Sequence, residues 1–335
     1  MTSQNPVIRT TGLSMHFRSC DALIDVNLHV QPGTVFALLG ENGAGKTTLI
    51  RILTGYQKPT SGSAEVCGFN PTKDPLSVRR RIGYVSDAPA LYDWMSIGEI
   101  GWFAASFYEP SYLDQYLNSI RRYELPVDRK IKHLSKGQRA KVALSLALAH
   151  DPEVLILDEP TSGLDPMVRR EFLESMIDLA ATGRTVFLSS HQISEVERVA
   201  DTVGIVHRGH LKLCQPLADL KHSVIELTVA LDDPLVGLPN FPDPVETLFV
   251  ESVGRQRRMV VQNLQPELLT SLREFSGVAN VSQRNLSLEE IFIALTKGGS
   301  QVSSNGLRER DSLAQSVGHP ELRDQTADSA ARSSL

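Results

Sequence analysis

Cysteine is scarce: three residues in 335, Cys20, Cys67 and Cys214, with no C-x-x-C pair. That spacing argues against a disulfide framework or a cysteine zinc site and fits a reducing compartment. Aromatic residues make up only 6%. No run of about 18 apolar residues occurs, so no segment reads as a membrane-spanning helix. The opening MTSQNPVIRTTG lacks an apolar stretch, so no secretory leader is expected. No charge sign dominates; the formal net charge is -5. A mildly acidic balance argues against a surface built to coat nucleic acid. There is no fixed-period repeat.

What is present is an ordinary globular composition, 41% hydrophobic and 22% charged. The length suits one large domain with an addition, or two domains. Residues 7–30 alternate apolar and polar side chains, as two or three half-buried antiparallel strands do. TVFALLG (34–40) is a short apolar run ending in Gly, which predicts a buried parallel strand. KTTLIRILTG follows with helical spacing and Gly55 as a stop. Residues 88–150 read as a helical insertion. EVLILD (153–158), TVFLSS (185–190) and TVGIVHRG (202–209) then alternate with helical segments. This alternation predicts an α/β fold, a parallel sheet with helices packed on it. Beyond 222, SVIELTVAL, ETLFVESV and RRMVVQNL read as antiparallel strands, PELLTSLREF as a helix, VANVSQRN as a last strand and LSLEEIFIALT as a last helix. The expected division is 1–222, a small separate α+β domain over 223–297, and a Ser- and Gly-rich tail over 298–335 expected to be disordered.

The strongest chemical signal is Gly40-Glu41-Asn42-Gly43-Ala44-Gly45-Lys46-Thr47, followed by Thr48. It matches G-x-x-x-x-G-K-S/T between a predicted strand and a predicted helix. Gly40, Gly43 and Gly45 let the backbone curl so that several N–H groups converge on one anion, and the helix start points at the same place. Lys46 can reach β- and γ-phosphate oxygens, and Thr47 offers a hydroxyl to Mg²⁺. Asp158 and Glu159 close the apolar run Val154-Leu155-Ile156-Leu157. Asp158 at the strand tip suits Mg²⁺ through water. Glu159, expected to point the other way if the strand persists, suits a general base that polarises an attacking water.

A phosphate loop alone allows many enzymes. Leu134-Ser135-Lys136-Gly137-Gln138 narrows the class, because it opens a long helix directly before the second buried strand. Ser135 and Gly137 make a second anion-binding helix start. A second such start in a chain that already has one makes sense if it completes the site of another subunit.

These residues resemble the ABC ATPase family over about residues 7–220. LSKGQ looks like its signature motif, with Lys136 where Gly is commoner; LLGENGAGKTT resembles its Walker A, and LILDEPTSGLDP its Walker B and D-loop. His191, after TVFLSS, stands where the family has its switch histidine, and Phe17 resembles the aromatic that stacks on adenine. The resemblance implies a P-loop NTPase cassette: an antiparallel β subdomain, a mainly parallel core sheet and a helical subdomain. It implies ATP and Mg²⁺ as ligands and a head-to-tail pair of cassettes, expected to be a homodimer. Each ATP would lie between the Walker A of one copy and Ser135, Gly137 and Gln138 of the other. Glu159 would orient the water, His191 would contact the γ-phosphate, and Asp165 would cross the interface. An integral membrane permease on another chain is the expected partner, with no nucleic acid. The expected location is peripheral, on the cytoplasmic side of the cell membrane. Three structural alternatives stand beside these roles: His191 as a surface or capping histidine, Phe17 as core, Asp165 as a helix cap before Pro166.

Asp87 takes the place where the family usually has Gln. A carboxylate can meet Mg²⁺ but is shorter, and when ionised it donates no hydrogen bond. Asp87 therefore reads either as a metal contact, direct or through water, or as a hinge. Tyr92, Trp94, Ile97, Trp102 and Phe103 supply either a groove for a partner helix or the core of the helical insertion. LSLEEIFIALT resembles the closing helix of exporter-associated ATPases, which favours export. The competing classes are an ABC ATPase of DNA repair or translation, which would carry coiled coils, zinc cysteines or two cassettes, and a nucleotide-dependent binding module, which would lack Glu159.

Overall fold

The structure is a computed structural model that describes residues 5–298. The chain opens with β1 (Ile8–Phe17) and β2 (Cys20–Val30), two long antiparallel strands joined by a tight turn. β3 (Val35–Leu39) follows, buried along its whole length, then α1 (Lys46–Leu53) and β4 (Ser61–Val66). β4 pairs with β1 to complete a three-stranded sheet of order β2-β1-β4. SGSAEV has almost no apolar content, so its pairing with β1, rather than its own pattern, makes it a strand.

α2 (Pro75–Arg81) leads into β5 (Ile82–Val85), and α3 (Ile97–Ala105), α4 (Ser111–Arg122) and α5 (Lys136–Leu148) form the helical insertion. Then come β6 (Val154–Asp158), α6 (Pro166–Ala181), β7 (Thr185–Ser190), α7 (Ile193–Val199), β8 (Thr202–His207), β9 (His210–Pro216) and α8 (Leu217–Ser223). The main sheet has order β5-β6-β7-β3-β8-β9, parallel except for β9 at its edge. β3 sits between two strands that come much later in sequence. The loops leaving the carboxyl ends of β3, β6 and β7 therefore meet, the place where open α/β sheets hold ligands.

Both faces of this sheet are covered, which is why its strands are apolar on both sides. Phe36, Leu38, Ile156 and Phe187 pack with α1 and the first sheet on one face, with Phe36 and Phe187 stacked at 5.1 Å. Val35, Ala37, Leu39, Leu157 and Leu188 pack against α5, α6 and α7 on the other. The helical insertion has a core of its own around Tyr116, Ile97 and Ile120.

Beyond α8 lie β10 (Val224–Leu231), β11 (Glu246–Val253), β12 (Gln256–Gln262), α9 (Pro266–Arg273), β13 (Val278–Asn285) and α10 (Leu288–Gly298). The strands form an antiparallel sheet of order β11-β12-β10-β13. One face holds a small core with Leu227, Val229 and Leu272. On the other, Leu288, Ile291 and Leu295 of α10 join Val224 and Val260 to the main core. The tail expected from 298 onward lies outside the described residues, apart from Gly298 at the end of α10. No helix among the described residues is long and apolar enough to cross a membrane.

Gly101, inside α3, lies against the ring of buried Tyr116, and a Cβ there would overlap that ring. Tyr116 is anchored by its hydroxyl, which donates to Ile97 O at 2.8 Å. Gly→Ala inside a helix ordinarily stabilises by about 0.5–1 kcal/mol. Gly101→Ala is expected to destabilise instead, by about 1–3 kcal/mol, because the ring cannot retreat without strain. A shift of the urea unfolding midpoint to higher concentration would contradict this.

Candidate functional site

The site starts from three glycines. Gly43 and Gly45 have φ of 81° and 111°, in the left-handed region that favours glycine. A Cβ at Gly45 would run into Ala22 O, and one at Gly40 into Val206 O, whereas Gly43 faces open space. The loop is thus pressed against its neighbours on one side and open on the other, the shape of an anion cradle. α1 begins directly after it, at Lys46. Asn42 and Thr47 are exposed and Thr48 is half-buried.

Lys46 is only 5% exposed. Its ammonium donates to Gly40 O at 2.7 Å and Glu41 O at 3.1 Å. It also lies 3.0 Å from Glu159 Oε1, an ion-pair distance with no aligned hydrogen bond. The other oxygen, Glu159 Oε2, is 2.7 Å from His191 Nδ1. Lys46, Glu159 and His191 therefore form one connected trio. β6 ends at Asp158, and Glu159 has φ of 51°. The strand does not persist, so strand alternation does not set the direction of Glu159. The left-handed turn carries its carboxylate to Lys46 and His191, at a backbone cost on the order of 1–2 kcal/mol.

Asp158 is 4% exposed and accepts the Ser189 hydroxyl at 2.7 Å. Ser189 Oγ in turn accepts the Glu159 backbone N–H at 3.0 Å, so one serine at the end of β7 orients both acidic residues. Among the described residues no three His, Cys, Asp or Glu side chains cluster to hold a metal. Mg²⁺ usually takes one or two protein oxygens and completes its shell with water and substrate phosphates. Thr47 and Asp158 beside a phosphate cradle are a donor set of that kind.

The other predicted residues lie apart from this trio. Ser135 caps α5: its hydroxyl accepts Gln138 N–H at 3.2 Å, and Ser135 N–H donates to Gln138 Oε1 at 3.0 Å. Gly137 is buried, and a Cβ there would press on Val168 of α6. No hydrogen bond or ion pair among the described residues links Ser135, Gly137 or Gln138 to the phosphate loop. Asp165 caps α6, accepting the N–H groups of Met167 and Val168 at 3.1 Å. Phe17 is 44% exposed at the end of β1, not core. Asp87 is exposed, and it lines a cleft of about 250 Å³ with Lys136, Arg139, Pro160 and Leu164.

A family profile described as ABC transporter matches residues 23–162. The chain is 33% identical over 303 residues to the bacitracin transport ATP-binding protein of Bacillus licheniformis, covering 88% of this chain and 98% of that one. It belongs to the ATP-binding proteins of ABC transporters. It is 31% identical over 284 residues to a Nod factor export ATP-binding protein of Burkholderia pseudomallei, covering 81% and 90% of the two chains. Among solved structures, an ATP-binding subunit of an ABC transporter superposes with a TM-score of 0.59 at 31% identity, over 64% of this chain and 92% of that one. A dimeric bacterial ABC transporter cassette at 23% identity, TM-score 0.57, shares the fold over 63% of this chain and 98% of its own. The α/β P-loop cassette expected from the motifs is therefore the fold of this ABC protein.

A second feature of the ABC subunit is an aromatic cleft of about 600 Å³ between β5 and the helical insertion, lined by Tyr56, Tyr84, Tyr92, Phe103, Phe107 and Tyr108. Trp94 and Trp102 are 67% and 68% exposed nearby in sequence, whereas Ile97 is fully buried. Ile97 is thus core, whereas Trp94 and Trp102 face outward and Tyr92 and Phe103 line the cleft. His150 closes the cleft floor, stacked on Tyr108 at 4.7 Å, with Nε2 3.0 Å from Ile82 O and Nδ1 buried without a partner. Ser189 and the cleft residues Phe107, Tyr108 and His150 escaped the motif reading. The serine pair ending TVFLSS is the signal for Ser189, since polar residues closing an apolar strand need a use.

Two outcomes follow from this geometry. Ser189→Ala removes the donor that orients Asp158. It is expected to raise the Mg²⁺ concentration needed for tight nucleotide binding by about 10-fold, as loss of a ligand's supporting bond does, measured by Mg²⁺ titration of ATP binding. An unchanged requirement would separate Asp158 from the metal. Burial holds the His150 pKa below its ordinary value. Below a pH of about 6.5 the unfolded chain therefore binds a proton that the folded chain refuses, and stability falls as pH drops. Thermal midpoints compared at pH 7.5 and 5.5 should differ less in His150→Gln than in the parent.

Proposed function

We propose that this chain hydrolyses ATP to ADP and phosphate and uses the cycle to drive export through a separate membrane permease. The single feature that carries the reading is the trio Lys46, Glu159 and His191 beside the phosphate cradle. The Lys46 ammonium is paired with Glu159. A bound γ-phosphate competes for that ammonium with more charge and more acceptor oxygens. Glu159 is then released from Lys46 but still held at His191. Its carboxylate accepts the proton of a water attacking the γ-phosphorus, while the β–γ bridging oxygen leaves on ADP. His191 keeps the base in position and reaches the γ-phosphate from its other side. Thr47 and Asp158 would hold Mg²⁺, which would supply charge neutralisation on the phosphates.

Ser135, Gly137 and Gln138 lie outside this half-site, and their helix start is free to face a second nucleotide. Two copies paired head to tail place each such start on the other's ATP, with Asp165 at the seam and Phe17 under the adenine. Closure with ATP and opening after hydrolysis is a ligand-driven population shift. The aromatic cleft of about 600 Å³ suits an amphipathic helix of the permease. The subunit then sits peripherally on the cytoplasmic face, and residues 223–297 act as an accessory domain. Relatives named for bacitracin transport and Nod factor export favour export as the direction.

Glu159→Gln tests the reading. It is expected to lower kcat by about 100-fold or more, as loss of a general base does, while ATP still binds and the ATP-bound dimer persists on size exclusion. Wild-type turnover in that variant would sink the assignment.

A further inference from the structure

Glu195, in the first turn of α7, is a carboxylate only 4% exposed that the chemistry above does not use. Its oxygens accept the Thr161 hydroxyl at 2.9 and 2.8 Å and the Ser190 hydroxyl at 3.0 Å. The Arg169 guanidinium lies alongside, with Nε 3.4 Å from Glu195 Oε1. The terminal nitrogens of Arg169 reach away to Gln192 Oε1 at 2.8 Å and Leu164 O at 3.2 Å. These partners come from two loops. Thr161 and Leu164 lie in the segment that starts at Glu159 and ends at Asp165. Ser190 and Gln192 flank His191, and Ser190 O also accepts the Gly40 N–H at 3.3 Å.

Burying a carboxylate costs several kcal/mol unless its partners repay it, and an apolar residue of the same size often stabilises a core as well. Stability alone therefore gives little reason for a charge here. What the carboxylate supplies is a fixed spacing between two loops that share no strand. We propose that Glu195 is a positioning residue that joins the loop of Glu159 and Asp165 to the loop of His191, so that the two hold one geometry and shift together when nucleotide binds. This rests on the reading of Glu159 and His191 given above. Arg169 is the second tie, bracing the same loops from the α6 side. Thr161 and Ser190 are the contacts through which the coupling runs.

The test uses the full chain with MgATP. Glu195→Gln keeps the shape and removes the charge. It is expected to lower kcat by about 10- to 100-fold, since misplacing a reacting group by about 1 Å can cost that much. ATP affinity and KM should change by less than about 3-fold, because the cradle and Lys46 are untouched, whereas general loosening would move them with kcat. Thr161→Val and Ser190→Ala, singly and together, provide a cycle with Glu195 in place. If Glu195 couples the two loops, their effects on kcat are non-additive. Additive effects, or Glu195→Gln turnover within about 2-fold of wild type, overturn the inference. Should Glu195→Gln fail to fold, the Thr161 and Ser190 cycle decides alone. Glu159→Gln run in parallel keeps the two readings apart. If it retains turnover, the reading of the site has failed; if it loses turnover while Glu195→Gln does not, only the role of Glu195 has failed.

Discussion

A lysine ammonium buried at the carboxyl end of a parallel sheet has to be surrounded by oxygen, and much of this structure follows from that need. Lys46 is 5% exposed. Leaving such a charge unpaired would cost several kcal/mol. Its partners are two carbonyls of its own loop and the carboxylate of Glu159. Reaching it forces Glu159 out of the strand into a left-handed turn, and that turn brings His191 to the second oxygen. Every one of these partners is an oxygen of the chain itself.

The polar residues around Lys46 lie at the ends of strands because the strands themselves cannot hold them. β3, β6 and β7 are buried on both faces, so a polar side chain in their middle would have no partner. At the carboxyl ends the chain turns; Asp158 meets the Ser189 hydroxyl there, and Ser190 meets Glu195. Ser189 holds the Asp158 carboxylate and the Glu159 backbone; Ser190 ties the phosphate loop to α7. The apolar strands and the polar layer above them are two results of the same burial.

How much of this is legible in the residues depends on whether the information is local. The phosphate loop, the apolar strands and the helix α1 are local: spacing and glycine placement specify them, and β3, β6, β7 and α1 lie where the pattern puts them. β4 and β9 are not local. SGSAEV becomes a strand through pairing with β1, and HLKLCQP, whose alternation covers only His210 to Leu213, through pairing with β8. The direction of Glu159 depends on one backbone angle, and an alternation rule applied past the strand end misses it. Ile97 and Trp102 share a helix and an apolar character, but one is buried and the other exposed. Their difference comes from where α3 meets Tyr116, a tertiary fact.

The C-terminal sheet is subject to the same constraint through a single helix. Leu288 and Ile291 of α10 are fully buried against Val196 and Val199 of α7, and Leu288 N–H donates to Glu197 at 3.4 Å. Lys221 of α8 meets the same Glu197 at 3.1 Å. α7 begins two residues after His191 and carries the buried Glu195. A shift of the His191 loop therefore cannot leave α7 still, and α7 cannot move without disturbing the packing of α10. Close-packed apolar contacts transmit such displacement because they have no slack to absorb it. The last helix of the described chain is in this way mechanically continuous with His191, although the two lie almost a hundred residues apart in sequence.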